Sequence, residues 1–405
     1  MAMKRKIISM LLIASMIVIS TTSCGKEKPA EDKKVSAGTE KTKSTNTQDY
    51  EPAGVTKKEY QNMTAQDLLD RIKDLENLTE DEAVELVSTF AYVDYDEEFN
   101  REENITDEAL KEIRDAGGSL PDSESFLETL ITSENAKVRA YGFGELGGFL
   151  SDTLGKTVKE TLDKETDQVV LYAAIDSLSS CGEDPYFAKF FIKMAENENP
   201  RIREEAAFAI GNRWSIGAEG MEETITKLME DEDENVRATA CSRAGELAND
   251  ELLEPLMEIL NDPDQIDLHD ECFESLMTMW LDSPFYNNMS EAAYRATIDY
   301  LSTTPRTEGI PSWDCVFRLR NIDEEDLDEW KTKATYYDSD EICNIMIDIL
   351  ADPEADWLAR NQAISVILTI GSDAQKEKLK STVEGLTDDE ASYLQEQYAE
   401  AIEES

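Results

Sequence analysis

From Asn135 onward, apolar residues recur in a block whose spacing is helical, and the block itself repeats along the chain. Val138, Val170, Ile202, Val236 and Leu268 stand 32, 32, 34 and 32 residues apart. Four positions after each stand Gly142, Ala174, Ala206, Ala240 and Cys272, all small; eight positions after stand Leu146, Leu178, Ile210, Ala244 and Leu276, all apolar. Offsets of 0, 4 and 8 share one face of an α-helix, and a small residue in the middle of that face lets a neighbouring helix come close. Each period also predicts a second helix: Leu162, Met194, Leu228 and Leu260 align once a two-residue insertion in the third unit is allowed for. The run Glu234–Leu247, a short turn, and Leu253–Leu260 show one such helix pair most plainly.

These elements predict an all-α solenoid, a superhelix of helix hairpins in which each hairpin buries a face it could not hide alone. Regular repeats cover residues 133–280. Residues 281–385 are a degenerate continuation: the register fails over 281–356, then returns at Ala359 with Arg360, Ala363, Ile367, Leu379 and Val383 in matching places. A C-terminal helix, Asp388 to Glu403, is expected within 386–405. Residues 59–132 carry helix-start signals at Thr64, Thr79 and Thr106 but no clear repeat, and are expected to form a helical N-terminal cap. Val138–Arg139, Ile202–Arg203–Glu204–Glu205–Ala206–Ala207, Val236–Arg237 and Ala359–Arg360 resemble HEAT repeats, particularly the short HEAT-like repeats of the phycobilin lyase type. That resemblance implies a scaffold and does not specify a partner.

The N-terminus reads as an address. Lys4, Arg5 and Lys6 precede an apolar stretch of 13 residues, Ile7 to Ile19, shorter than the roughly 20 residues that span a bilayer. Thr21–Thr22–Ser23–Cys24–Gly25 follows, and resembles the lipobox of bacterial lipoproteins, with threonine where that pattern prefers leucine. The resemblance implies that residues 1–23 are a signal peptide and that Cys24 is the acylated first residue of the mature chain. Acylation would hold the protein on the cell membrane, facing outside the cytoplasm; two or more acyl chains anchor stably. The alternative is an ordinary signal peptide with an incidental cysteine. Residues 24–58 are rich in Lys, Glu, Ser and Thr without apolar periodicity, so a flexible tether is expected, about 30 Å in mean reach for a coil of this length.

Charge sharpens the picture. Residues 1–58 carry 11 Lys or Arg and 6 Asp or Glu, so a whole-chain balance of −50 leaves −55 on residues 59–405. Such a body repels phosphate backbones, which excludes nucleic acid as a partner. The acidity either keeps an exposed solenoid soluble or attracts a basic partner or divalent cations. Beyond Cys24 the five cysteines, Cys181, Cys241, Cys272, Cys315 and Cys343, lie singly in helical patterns, which argues against a disulfide framework.

Candidate chemistry is sparse. His269 is the single histidine, which removes histidine triads, multi-histidine zinc sites and the di-iron arrangement of some HEAT-like hydroxylases. Asp94–Phe99 begins like a calcium loop but lacks its sixth-position glycine. No metal, no cofactor and no catalytic residue are expected, and the chain reads as a non-enzyme. Arg139, Arg203, Arg237 and Arg360 share one repeat position. They form either a basic ladder for an anion or, as the acidic turns favour, structural locks between adjacent units. Aromatics in irregular connections supply the partner-binding candidates: Arg213, Trp214, Trp280, Phe285, Tyr286 and Trp313, because rim loops and Trp, Tyr and Arg dominate binding surfaces; the same aromatics could instead fill gaps between imperfect repeats. The leading expectation is a membrane-anchored extracytoplasmic scaffold that binds a protein or peptide. Its alternatives are a carboxylate-dependent envelope hydrolase with its site in 281–356, and a solute- or cation-binding lipoprotein.

Overall fold

In the first four regular units an Asn or Asp stands three residues before the apolar anchor, and there it starts a helix. Asn135, Asp167, Asn199 and Asp233 each accept backbone N–H bonds from the first turn that follows, satisfying donors that a helix start leaves orphaned. A computed structural model describes residues 123–404 of the chain except 148–149, 282–288, 307–308 and 323–332. Its contacts divide the chain into two units, residues 1–92 with 105–121, and residues 93–104 with 122–405; every described residue belongs to the second. The signal peptide, Cys24, the tether, the helix starts at Thr64, Thr79 and Thr106, the Asp94–Phe99 loop, Phe285 and Tyr286 lie outside the described residues.

Sixteen helices follow one another through the described residues: α1 (Glu124–Ile131), α2 (Ala136–Gly144), α3 (Asp152–Leu162), α4 (Gln168–Leu178), α5 (Pro185–Met194), α6 (Pro200–Ile210), α7 (Met221–Leu228), α8 (Glu234–Ala244), α9 (Leu253–Leu260), α10 (His269–Trp280), α11 (Glu291–Thr303), α12 (Trp313–Arg318), α13 (Ser339–Ala351), α14 (Trp357–Ile370), α15 (Asp373–Gly385) and α16 (Ala391–Glu404). The even-numbered helices stack side by side as one layer, α2 on α4 through to α14 on α16, and the odd-numbered helices form a second layer behind them. The architecture is an all-α solenoid. Layering continues through 281–356, where the sequence register fails: the short α12 fills a first-layer place and α13 a second-layer place.

The anchors Val138, Val170, Ile202 and Val236 are fully buried in equivalent first-layer helices, and Leu268 lies just before α10. Leu162, Met194, Leu228 and Leu260 are buried from the second layer. Small residues set how closely helices approach, Gly142 against α1 of the second layer and Gly245 against α10 of the first. A Cβ placed on Gly142 would lie 2.6 Å from Leu130 Cβ, and one on Gly245 would lie 2.6 and 2.7 Å from the backbone O and Cα of Ser275. That approach ends α8 at Ala244, followed by a 3-10 turn through Leu247, short of the single helix expected over Glu234–Leu247. Ser275 Oγ closes the contact by accepting from Gly245 N (2.9 Å).

Between units the arginine ladder makes a repeated bond. Arg139, Arg203 and Arg237 each send Nη1 to two carbonyls of the turn before their own helix: Ser133 and Glu134, Asn197 and Glu198, Asp231 and Glu232. The same guanidinium of Arg139 grips Glu165 through two bonds of 2.7 and 3.1 Å, and that of Arg203 grips Asp231 at 2.8 and 2.7 Å, both in the turn of the next unit. Arg360, wholly buried, bonds Leu350 O, Asp388 and Glu390. Among the described residues Arg237 has no such carboxylate ahead of it, since Pro263 occupies that place. At the ladder position of the fifth unit stands His269, which replaces the arginine: Nε2 meets Asp262 O at 3.1 Å and Nδ1 meets the Tyr300 hydroxyl at 3.3 Å.

Burial alone would raise the Asp231 carboxyl, and for Asp388 the Arg360 bond is the largest influence; in both, the guanidinium and backbone donors prevail and hold the carboxyl below its ordinary value. A carboxylate depressed by folding gives stability that is present above its unfolded pKa and is lost as pH falls through the folded one. Replacing Arg203 and Arg360 by Met therefore costs about 2 kcal/mol each at pH 7 in urea unfolding, and the gap from wild type narrows below the ordinary value of 3.8. In the same assay Gly245→Ala costs about 2–3 kcal/mol. Gly385→Ala, where a Cβ meets nothing within 4 Å, is neutral or stabilising by up to about 1 kcal/mol.

Candidate functional site

Because every first-layer helix is followed by a second-layer helix that returns, the first-layer helices run parallel, and their starts share one rim. Two residues before the anchor, at the start of each regular first-layer helix, stand Ala136, Gln168, Pro200 and Glu234. In the last units the same place is aromatic: Trp313 opens α12 and Trp357 opens α14, behind the caps Ser312 and Asp356. Trp313 rests edge-to-face on Phe317 one turn on, with ring centres 6.1 Å apart, and Trp357 on Tyr393 of α16 at 5.4 Å. The four rings are 39, 39, 42 and 40% exposed in the order Trp313, Phe317, Trp357, Tyr393. Since α12 packs on α14 and α14 on α16, the two pairs form a row across three consecutive first-layer helices.

Cations beside the row are already engaged. Arg318 holds Asp270 through two bonds of 2.6 Å and Glu274 at 3.0 Å; burial opposes its charge, yet these carboxylates keep it firmly protonated. Arg360 is consumed by Asp388 and Glu390, and Arg320 lies over the Phe317 ring at 5.1 Å. Asp314, next to Trp313, is pushed above its ordinary value by burial and by Asp270, against the pull of Arg318. Glu354, Asp389 and Glu396 are exposed near the row in sequence.

The other candidates read from sequence fall elsewhere. Trp214 is 40% exposed with the Arg213 guanidinium 4.9 Å above its ring. It projects from the turn after α6, which Ser215 pins by donating to Ala209 O (3.1 Å). That turn is at the ends of the first-layer helices, on the opposite rim from Trp313 and three helix spacings of about 10 Å along the stack. Trp280 is a correction: it is fully buried and offers no surface to a partner. Its Nε1 donates to Thr297 (3.0 Å), its carbonyl accepts from the Tyr336 hydroxyl (2.7 Å), and Tyr294 and Tyr337 pack around its ring. It fills the junction where the repeat register breaks. Phe317, Trp357 and Tyr393 escaped the sequence reading. Aligning Trp357 two places before Ala359 against Gln168 and Glu234 would have exposed the polar-to-aromatic exchange.

A second concavity, about 640 Å³, opens between α11 and α13. Ile298 and Ile345 line it with Arg295, Glu341, Asp340 and Asp348, and Arg295 pairs with Glu341 at 2.9 Å. Among the described residues, no group of three or more His, Cys, Asp or Glu side chains is arranged to hold a metal. Cys181, Cys241, Cys272, Cys315 and Cys343 are free thiols.

Residues 188–276 match the family model for HEAT repeats. Over that span the chain is similar to HEAT repeats. The matched span runs from α5 into α10, within the regular repeats. Among solved structures, an engineered protein's crystal structure covers 78% of this chain and 97% of its own at 15% identity and a TM-score of 0.22, a likeness too distant to bear on the fold. No curated protein matches the chain.

Burial separates the two kinds of tryptophan. Trp280→Ala costs about 3–5 kcal/mol in urea unfolding, whereas Trp313→Ala and Trp357→Ala each change stability by less than about 1 kcal/mol.

Proposed function

We propose that this HEAT-repeat chain is a membrane-anchored extracytoplasmic scaffold that recruits a protein or peptide partner, without catalysis, through the Trp313–Phe317–Trp357–Tyr393 row. The observation that carries the reading is the appearance of exposed aromatic residues at a repeat position that Ala136, Gln168, Pro200 and Glu234 hold in the regular units. Stacking does not require it, because the same place is held by Gln168, Pro200 and Glu234 where the stack is most regular. Aromatic rings left open on neighbouring helices are the residues on which protein interfaces concentrate their binding energy.

Anchoring rests on the N-terminal sequence. An apolar stretch too short to span, the Ser23–Cys24–Gly25 junction and the polar tether are the pattern of a lipid-anchored protein held away from its membrane. Among the described residues no helix is long and apolar enough to cross a membrane, so an anchor would have to come from outside them. The 32-residue period keeps the likeness to the short phycobilin-lyase repeats within this reading as a likeness of repeat length.

Cell fractionation and envelope cross-linking test both halves. Wild-type protein is expected in the membrane fraction and Cys24→Ser in the soluble or secreted fraction; membrane retention of the variant would remove the lipid anchor. A partner captured reproducibly by wild type and lost with Trp313→Ala/Trp357→Ala, but kept with Trp214→Ala, supports the scaffold. Absence of any reproducible partner for wild type would end it.

A further inference from the structure

The aromatic row sits on a body whose charge constrains what can approach it. With −55 on residues 59–405, the protein concentrates cations at its surface and repels acidic segments, most strongly at low salt. Locally, Arg318 and Arg360 are neutralised by Asp270, Glu274, Asp388 and Glu390, while Asp314 sits under the influence of Asp270 and Arg318, and the exposed Glu354, Asp389 and Glu396 form no ion pair among the described residues. Each edge-to-face pair uses one face of one ring, and about two-fifths of each side chain remains open. Tryptophan faces are the strongest π-acceptors of ammonium and guanidinium groups, and the attraction grows as the cation is desolvated.

The same chemistry already operates elsewhere on this chain. Arg243 lies over Phe208 at 4.0 Å, Arg201 over Tyr172 at 5.7 Å and Arg213 over Trp214 at 4.9 Å. At the last units Arg320 engages Phe317, whereas Trp313 packs on Phe317 and Trp357 on Tyr393, aromatic on aromatic.

Resting on the scaffold reading, we infer that the Trp313–Trp357–Tyr393 row receives a cationic segment of the partner, an extended stretch bearing arginine or lysine side chains that stack on the rings while the surrounding carboxylates supply the field. Neighbouring first-layer helices about 10 Å apart would set the spacing between successive basic side chains, roughly three residues of extended chain.

The test uses the full chain with Cys24→Ser, to keep lipid out of the assay. The probe is a labelled peptide with arginine at every third position and glycine between, compared with the same peptide in which citrulline replaces arginine. Fluorescence anisotropy is expected to show saturable binding of the arginine peptide, weakened about tenfold by Trp313→Ala/Trp357→Ala and by the citrulline exchange, weakened by added salt, and unchanged by Trp214→Ala. Equal binding by wild type and the double variant would mean attraction to bulk charge only and would overturn the inference, as would equal binding of the citrulline peptide. Unfolding curves of the double variant guard against loss of structure, and Trp313→Phe/Trp357→Phe should recover part of the affinity. Failure here leaves the scaffold reading separable. A cross-linked envelope partner that depends on Trp313 and Trp357 but binds through an uncharged segment would keep the scaffold and discard the cationic ligand.

Discussion

Close approach of neighbouring first-layer helices is the constraint on which the rest of this structure depends. At Gly245 a single added carbon would collide with the next first-layer helix, and Ala174, Ala206, Ala240 and Cys272 are wholly buried in the same layer. Helices that close can bury a continuous stripe of Val, Ile and Leu with little else, so burial accumulates unit by unit. The cost is that neighbouring turns are also brought together, with their carbonyls and carboxylates crowded at one rim. A guanidinium resolves that crowding. Arg139 and Arg203 each satisfy two carbonyls of one turn and a carboxylate of the next, so the bond that relieves the rim also fixes the step between units.

The ladder is conditional in an instructive way. Glu165 and Asp231 stand one unit ahead of Arg139 and Arg203, but Asn197 stands ahead of Leu171 and Pro263 ahead of Arg237. A carboxylate is placed where an arginine can reach it and omitted where none can, or where a proline has taken the place. That alternation is what a lock requires and what a continuous anion-binding ladder does not. The stack loosens its rule after Pro263, where α10 starts without a side-chain cap and His269 takes the arginine's place. From there the units lengthen and shorten, and Trp280 with Tyr294, Tyr336 and Tyr337 fills the space that regular repeats would have closed with aliphatic residues.

Much of this was legible in the sequence, for a physical reason. A helical face repeated at near-constant spacing has few folds open to it, so the anchors Val138 to Val236, the small positions and the second helices followed from periodicity. Helix ends were less legible: the C-terminal helix begins at Ala391 instead of Asp388, because Asp388 is committed to Arg360 and stays in the turn. The candidate site was legible only in part. Exposure is a property of neighbours in space, and a tryptophan in an irregular segment gives no sign of whether it plugs a gap or faces solvent. Trp280 and Trp313 looked alike as letters and are opposites in the fold. Trp357 was hidden by lying inside a repeat that looked ordinary at its anchor, Ala359.

Regular spacing and open surface aromatics therefore separate along this chain. In the regular units, from α2 to α8, the helix starts are non-aromatic, and ring systems that reach the surface are engaged by arginines of adjacent residues or units, as Phe208 is by Arg243. Where the period relaxes, rings appear at helix starts and stay open. A solenoid can tolerate this only near an end of its regular part, because a unit whose seam is supported on both sides can accept a short α12 without losing its neighbours. The exposed row thus belongs to the segment with the most freedom to change its surface and the least duty in propagating the stack. That is the division expected of a scaffold: uniform units supply length and rigidity, and the irregular ones carry the surface that distinguishes one partner from another.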